Sequence, residues 1–291
     1  MERRSVPQEG RRKMRGKIDL HVHSNYSDGT YTPQELVRIA LEKGLRAFAL
    51  TDHDTTEGIP LAAEAARGTG LEVIPGIEFS TSYQGKDVHI LGLGICPEDR
   101  SFQEQLEYFK TSRERRNEKI IQKMQEKGLP ISQEALEKKF PGAVVTRAHF
   151  ARYLKEEGLV GSNQEAFDRY LGDHACCFVP REKVTPVQAV RLIKENGGYA
   201  VLAHPLIYGM AKEKLENLVK ELKIFGLDGI EAIYSQNRWN DEGQMRALAK
   251  RHGLKITGGS DYHGANKPGI EMGCGKGNLS IPYEIWENLK R

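Results

Sequence analysis

Two imidazoles one residue apart, His21-Val22-His23, with a carboxylate five positions on at Asp28, form the most reactive stretch of the chain. Ile18, Leu20 and Val22 alternate with Asp19, His21 and His23, so a strand here places the three polar groups on one face. Ser24, Asn25, Ser27 and Gly29 then break that strand into a polar loop. Imidazole nitrogens beside a hard carboxylate oxygen suit a divalent transition metal. A histidine-bearing strand end without a ligand has the same local sequence, and the rest of the chain decides between the two.

Six of the nine histidines, His21, His23, His53, His89, His204 and His263, fall at or beside predicted strand ends, together with Asp28, Glu78 and Asp261. Scattered surface histidines would not choose that place so often. His174, in a loop, and His252, near a helix end, read as structural. Phosphate ester hydrolysis fits such a gathering. The ester is anionic and repels nucleophiles, and metal ions a few ångströms apart neutralise it, clamp its oxygens and lower the pKa of bound water from about 15.7 to about 7. Glu78, as a bridging carboxylate, would fix the spacing of the ions. Hydroxide then attacks phosphorus in line, with Glu78, Asp261 and His204 expected nearest the reaction. Asp19 and Asp52 are candidates for orienting imidazoles, Asp19 equally for holding backbone at a strand end.

Strands and helices must alternate to position these groups. Strands are expected at 18–22, 46–50, 71–74 (leading through Pro75-Gly76 to Ile77-Glu78-Phe79-Ser80), 87–95, 199–203, 229–234 and 255–258. Thr32-Pro33-Gln34-Glu35 and Thr185-Pro186 mark helix starts. This rhythm argues for an α/β domain with parallel strands, and functional groups at successive strand C-termini argue for a barrel. Between 101 and 170 the strand rhythm stops. Helices are expected over 101–127, 133–139, 147–156 and 164–170. The division that follows is a polar extension at 1–16, a barrel from 17–99 and 180–291, and an all-helical insertion at 100–179 that roofs the site.

His21-X-His23, Thr51-Asp52-His53-Asp54, Gly76-Ile77-Glu78, His89-Ile90-Leu91, Ala203-His204-Pro205 and Ser260-Asp261-Tyr262-His263 together resemble the PHP (polymerase and histidinol phosphatase) phosphoesterases. The resemblance implies a distorted seven-stranded β/α barrel holding two or three divalent ions: manganese, iron or zinc, with magnesium also open. It implies a first ion on His21, His23, Glu78 and Asp261, a second on Glu78, His89 and His204, and a third on Asp28, His53 and His263. Asp28 stands where some members place a histidine, which hardens the third site toward manganese, iron or magnesium.

The long helix of the insertion carries Phe102, Leu106, Phe109, Ile120 and Met124 on one stripe, and Arg113 and Arg116 interrupt it. Either their stems pack while the heads reach solvent, or the guanidiniums grip phosphate with their planar forks. Thr146-Arg147-Ala148-His149-Phe150 adds an arginine and a histidine at a helix start, where free N–H groups suit an anion. This stretch, with Val179-Pro180 and 189–205, is similar to a PHP subgroup acting on nucleotide 3′,5′-bisphosphates and the 5′ ends of short RNAs. Arg113, Arg116, Arg147 and His149 are thus the candidates for holding the phosphate that is not cleaved.

Composition limits the rivals. A net charge of +3 does not itself demand nucleic acid. Four cysteines without a Cys-X-X-Cys pair make neither a disulfide framework nor a zinc-thiolate site. No apolar run spans a membrane, and residues 1–16, though basic, lack the apolar core of a secretory signal, so a cytoplasmic location is expected. The expected substrate is a phosphorylated small molecule, a nucleotide or short oligonucleotide, with no obligate protein partner. Histidinol phosphate is the nearest alternative substrate. A metal amidohydrolase would leave Asp28, His53 and His263 without a task, and a non-catalytic PHP module need not keep every ligand position filled.

Overall fold

The computed structural model describes residues 16–180 and 184–291. The basic extension falls almost wholly on residues 1–15, outside the described part. The first half alternates β1 (Lys17–Val22), α1 (Pro33–Glu42), β2 (Leu45–Leu50), α2 (Ile59–Ala66), β3 (Glu72–Tyr83) and β4 (Lys86–Leu93). The second half runs α7 (Pro186–Glu195), β5 (Tyr199–Leu202), α8 (Lys212–Ile224), β6 (Leu227–Tyr234), α9 (Asp241–Arg251), β7 (Lys255–Gly259), β8 (Ile281–Pro282) and α10 (Glu284–Leu289). Between them lie α3 (Arg100–Glu126), α4 (Gln133–Lys139), α5 (Arg147–Glu156) and α6 (Asn163–Ala166), the last continuing as a π turn through Leu171. Among the described residues no helix is long and apolar enough to cross a membrane.

The strands form one sheet in the order β7-β6-β5-β4-β3-β2-β1-β8, rolled into a nearly closed barrel. Eight strands replace the expected seven, because Ile281–Pro282 pairs antiparallel with β1, and two residues are too few to leave a periodic signal. The expectation of parallel strands also fails at β4, which is antiparallel to both β3 and β5. The cause is local. Gln84 and Gly85 both have positive φ, so the chain reverses in a two-residue turn instead of crossing over through a helix. Pro75-Gly76 does not end a strand either. The first residues of β3 pair with β2 as far as Leu50↔Pro75, and from Gly76 onward they pair with β4.

Closure is made at the functional end. Val22 bridges Tyr262, the His23 N–H donates to the Tyr262 carbonyl at 3.0 Å, and the Asp261 N–H donates to the His21 carbonyl at 2.9 Å. Gly259 permits this approach, since a Cβ there would lie 2.2 Å from His21 Cβ. Thr32 caps α1 in a reciprocal box with Glu35, and Thr185 repeats the device with Gln188 on α7.

Helix α3 belongs to two cores. Phe102, Leu106 and Phe109 join the barrel cluster, where both Phe102 and Phe109 meet the Phe79 ring. Ile120, Ile121 and Met124 join a separate cluster with Leu136, Phe150 and Leu154. Arg113 and Arg116 interrupt the stripe where it passes from one core to the other, over the polar rim of the barrel.

Candidate metal centre

Period-2 alternation aims His21 and His23 inward from the end of β1, and both are fully buried. Asp28 follows on the loop, His53 on the turn after β2, Glu78 within β3, His89 on β4, His204 after β5, and Asp261 and His263 after β7. These residues, separated by up to 242 positions, meet around one carboxylate. Glu78 Oε2 lies 3.1 Å from both His21 Nε2 and His23 Nε2 and 3.4 Å from His53 Nε2. Glu78 Oε1 lies 2.9 Å from both His89 Nδ1 and His204 Nε2. Asp28 Oδ1 is 3.1 Å from His263 Nε2, and Asp261 Oδ1 is 3.3 Å from His263 Nδ1.

Three groupings have ligand atoms within 4.8 Å of one another: His21, His23, Glu78, Asp261; His23, Asp28, His53, His263; and His53, Glu78, His89. The first coincides with the set implied for the first ion. The second contains the third set and adds His23. The last holds His53 where the resemblance puts His204, although His204 reaches the same Glu78 oxygen as His89. The donors fit divalent ions. His21 Nε2, His23 Nε2, Asp28 Oδ1 and His204 Nδ1 are buried without a hydrogen-bond partner, an arrangement that costs free energy unless a cation completes it.

The electrostatics divide the imidazoles into two groups. Burial pushes His53 down to about 3 and lowers His263, so their lone pairs stay available. Burial opposes charge on His21 and His23, yet Glu231, Glu78 and Asp261 hold His21 well above the ordinary imidazole value. The Asp261 and Glu78 carboxylates beside its Nε2 raise His23 to about 9. Burial likewise opposes charge on Glu78, Asp28 and Asp261, but the neighbouring imidazoles, with Lys267 beside Asp261, keep all three well below the usual carboxylate range. A buried nest of ionised carboxylates calls for cations. Strain collects here too: His204 and Asp261 have positive φ, as does Asp54 beside His53.

The orienting groups differ from those expected. Asp19 accepts from the Ser260 N–H and hydroxyl and from the Gly273 and His21 N–H groups, so it fixes backbone and touches no imidazole. Asp52 accepts from the Ser24 N–H and hydroxyl and from the Ser27 hydroxyl, and only that hydroxyl meets His23 Nδ1, at 3.4 Å. The direct partner is Glu231 on β6. It accepts from His21 Nδ1 at 3.0 Å and from the His204 N–H at 2.8 Å. Tyr234, from the same strand, donates to Asp261 Oδ2 at 2.9 Å, and Lys267 donates to the same oxygen at 2.5 Å. Glu231 has a sequence signal, an acid between Ile230 and Ala232 late in an apolar strand. Glu231→Gln should weaken metal binding by about 10- to 100-fold, the usual effect of losing such a partner. Titration of metal into apo protein checks this, and unchanged affinity would remove the orienting role.

The four basic candidates reach different places. Arg113 is buried, with its Nε donating to Asp54 Oδ2 at 2.9 Å and its Nη2 contacting Asp54 and the Ser80 hydroxyl. It neither snorkels to solvent nor presents an open fork. Ser80 in turn meets His53 Nδ1 at 3.1 Å. Arg116 donates to the Val179 carbonyl at 3.1 Å and approaches Asp87 at 3.6 Å, and Arg147 binds the same Asp87 carboxylate at 2.8 Å. His149 Nδ1 accepts from the Thr146 N–H, completing a capping box, and burial lowers its pKa to about 4. Thr146 donates to Asp28 Oδ2 at 3.1 Å, tying α5 to the metal loop.

Comparison with known proteins places this geometry. A model of the PHP domain matches residues 19–222. A 5′-3′ exoribonuclease of Haemophilus influenzae is 39% identical over 277 residues, covering 95% of this chain and 100% of the relative. A 3′,5′-nucleoside bisphosphate phosphatase of Chromobacterium violaceum is 33% identical over 281 residues, covering 94% and 96%. A solved structure of an amidohydrolase from Chromobacterium violaceum with bound sulfate superposes with a TM-score of 0.84 at 32% identity, over 94% of this chain and 96% of that one. The chain belongs to the PHP domain family and is a metal-dependent phosphoester hydrolase.

Proposed function

We propose that this hydrolase releases phosphate from nucleotides, acting on 3′,5′-bisphosphates and on the 5′ ends of short oligonucleotides. The observation that carries the chemistry is the convergence of five imidazoles on the two oxygens of Glu78, beside buried donors that lack any other partner. His21, His23, Glu78 and Asp261 would hold one ion, and Asp28, His53 and His263, with His23 at their edge, another. Glu78 and His89, with His53 or His204, would hold a third. When bound, such ions supply activated water at neutral pH and stabilise charge on the phosphate oxygens.

The chain's own residues do the positioning. Glu231 holds the His21 ring with its Nε2 turned to Glu78. Asp19, through Ser260, anchors the strand end that carries Asp261. Lys267 and Tyr234 grip one Asp261 oxygen and leave the other toward His21, His23 and His263. Arg116 and Arg147 face Asp87, two residues from His89, and would exchange that carboxylate for the phosphate that is not cleaved. Helices α3–α6 form the roof over this rim. The nucleotide reading draws on the two relatives named above and on this paired arginine wall, which suits a substrate with a second anionic group better than one with a cationic tail such as histidinol phosphate.

A phosphate-release screen across nucleotides and sugar phosphates with manganese, alongside metal analysis of the purified protein, tests the proposal. Release from adenosine 3′,5′-bisphosphate well above release from histidinol phosphate is expected, and the reverse order would overturn it. Arg147→Ala should raise KM for bisphosphates by about tenfold, the loss of one charge-assisted contact, and change KM for a phosphomonoester with a neutral tail far less.

A further inference from the structure

Helix α3 has a second lined surface besides its inward stripe. Tyr108, Thr111, Arg115, Arg116 and Lys119 on the helix line a groove together with Val179 and Pro180. Three cations and an aromatic ring line it, and among the described residues none that lines it is acidic. Tyr108 is 44% exposed, although most of the large apolar side chains of this chain are buried. Tyr108, Arg115 and Lys119 recur at seven- and four-residue spacing, so they share one helical flank over about 16 Å of axis. Lys123 extends the row by one more turn.

The groove shares Arg116 with the rim beside His89. Arg116 and Val179, both lining it, are bonded to each other, and Arg116 reaches the Asp87 carboxylate that Arg147 also binds. One turn back, Arg113 meets Ser80, whose hydroxyl touches His53. A chain lying in the groove would therefore reach Arg116 and, through it, the Asp87–Arg147 pair near His89. Cations in a row neutralise successive phosphates whatever the sequence, and an exposed ring offers a base a face to stack on. An acidic peptide would use the cations but leave the ring without its natural partner.

We infer that this groove carries single-stranded nucleic acid downstream of the phosphate at the metal centre. The inference rests on the proposed nucleotide activity and narrows it: the preferred substrate is an oligonucleotide, with the mononucleotide bisphosphate occupying only the end at Arg116. Tyr108, Arg115 and Lys119 are positioning residues for that strand.

The test compares wild type with the combined variant Tyr108→Ala, Arg115→Gln, Lys119→Gln. Initial rates are measured with manganese on a 5′-phosphorylated single-stranded oligoribonucleotide and on adenosine 3′,5′-bisphosphate. Binding of a fluorescent phosphorothioate-linked oligomer is followed by anisotropy over a range of salt. The variant should raise KM for the oligomer by at least about tenfold and leave KM for the bisphosphate within about twofold. Its plot of log affinity against log salt should be shallower by about 1.4 units, about 0.7 for each of the two cations removed. Equal change for both substrates, or oligomer binding unaltered by the variant, overturns the inference. Groove-dependent oligomer binding in a protein that hydrolyses neither substrate would sustain it while defeating the proposed activity. A melting curve that matches wild type confirms that the variant is folded.

Discussion

Glu78→Ala should abolish measurable hydrolysis and lower bound metal at the same time. Two of the three ligand groupings pass through this residue, and its oxygens lie within 3.4 Å of five imidazole nitrogens. Removing it leaves those rings around an empty volume and takes one negative charge from a site proposed to hold several cations. A partner one step removed from a metal already costs about 10- to 100-fold, so loss of the shared carboxylate should exceed about a hundredfold in kcat/KM. Glu78→Gln keeps the volume and removes only the charge, and it should fall nearly as far. Elemental analysis and phosphate-release rates decide the matter together. A variant with wild-type metal content and rate would show that the ions, if held, do not share Glu78.

Arg113→Ala should act mainly on stability. Arg113 and Asp54 are both buried, and the guanidinium also contacts Ser80 beside His53. Taking away the cation that faces a buried carboxylate costs about 3–5 kcal/mol. For a chain of this size that is a fall in Tm on the order of 10 °C. The remaining folded enzyme should lose rate on every substrate alike, because Ser80 loses the group that fixes its hydroxyl against His53. A phosphate-binding arginine would behave otherwise, with an unchanged Tm and a selective rise in KM for bisphosphates. Thermal melts and steady-state kinetics on two substrates separate the outcomes. Arg113→Lys keeps the charge but not the fork, and should recover part of the stability.

The convergence of these histidines and carboxylates was legible in the sequence because strand periodicity and strand ends are local signals. His21 and His23 share a face by alternation alone, and His53, His204 and His263 each follow an apolar run that reads as a strand. Their meeting needs only that the strands lie side by side with the same ends together. What escaped was set by neighbours distant in sequence. Glu231 gains its meaning from His21, 210 positions away, and reads alone as a stray acid in a strand. Arg113 and Arg116 do interrupt the stripe of α3, but only the packing shows that two cores meet there. The reversal into β4 depends on two positive φ angles at Gln84 and Gly85, and only the glycine advertises one. β8 is held by β1 and is too short to declare itself.

The roof is fastened to the same loop that contributes Asp28. Thr146 donates to Asp28 Oδ2, and the Val144 N–H donates to the Tyr26 carbonyl two residues upstream. An ion held by Asp28, as proposed, would therefore also bias the position of α5, and by thermodynamic reciprocity a shift of α5 would alter the grip on that ion. Under the proposed function, loading of an ion and seating of the substrate would then be coupled through this loop. Starvation for metal would loosen substrate selection as well as slow turnover.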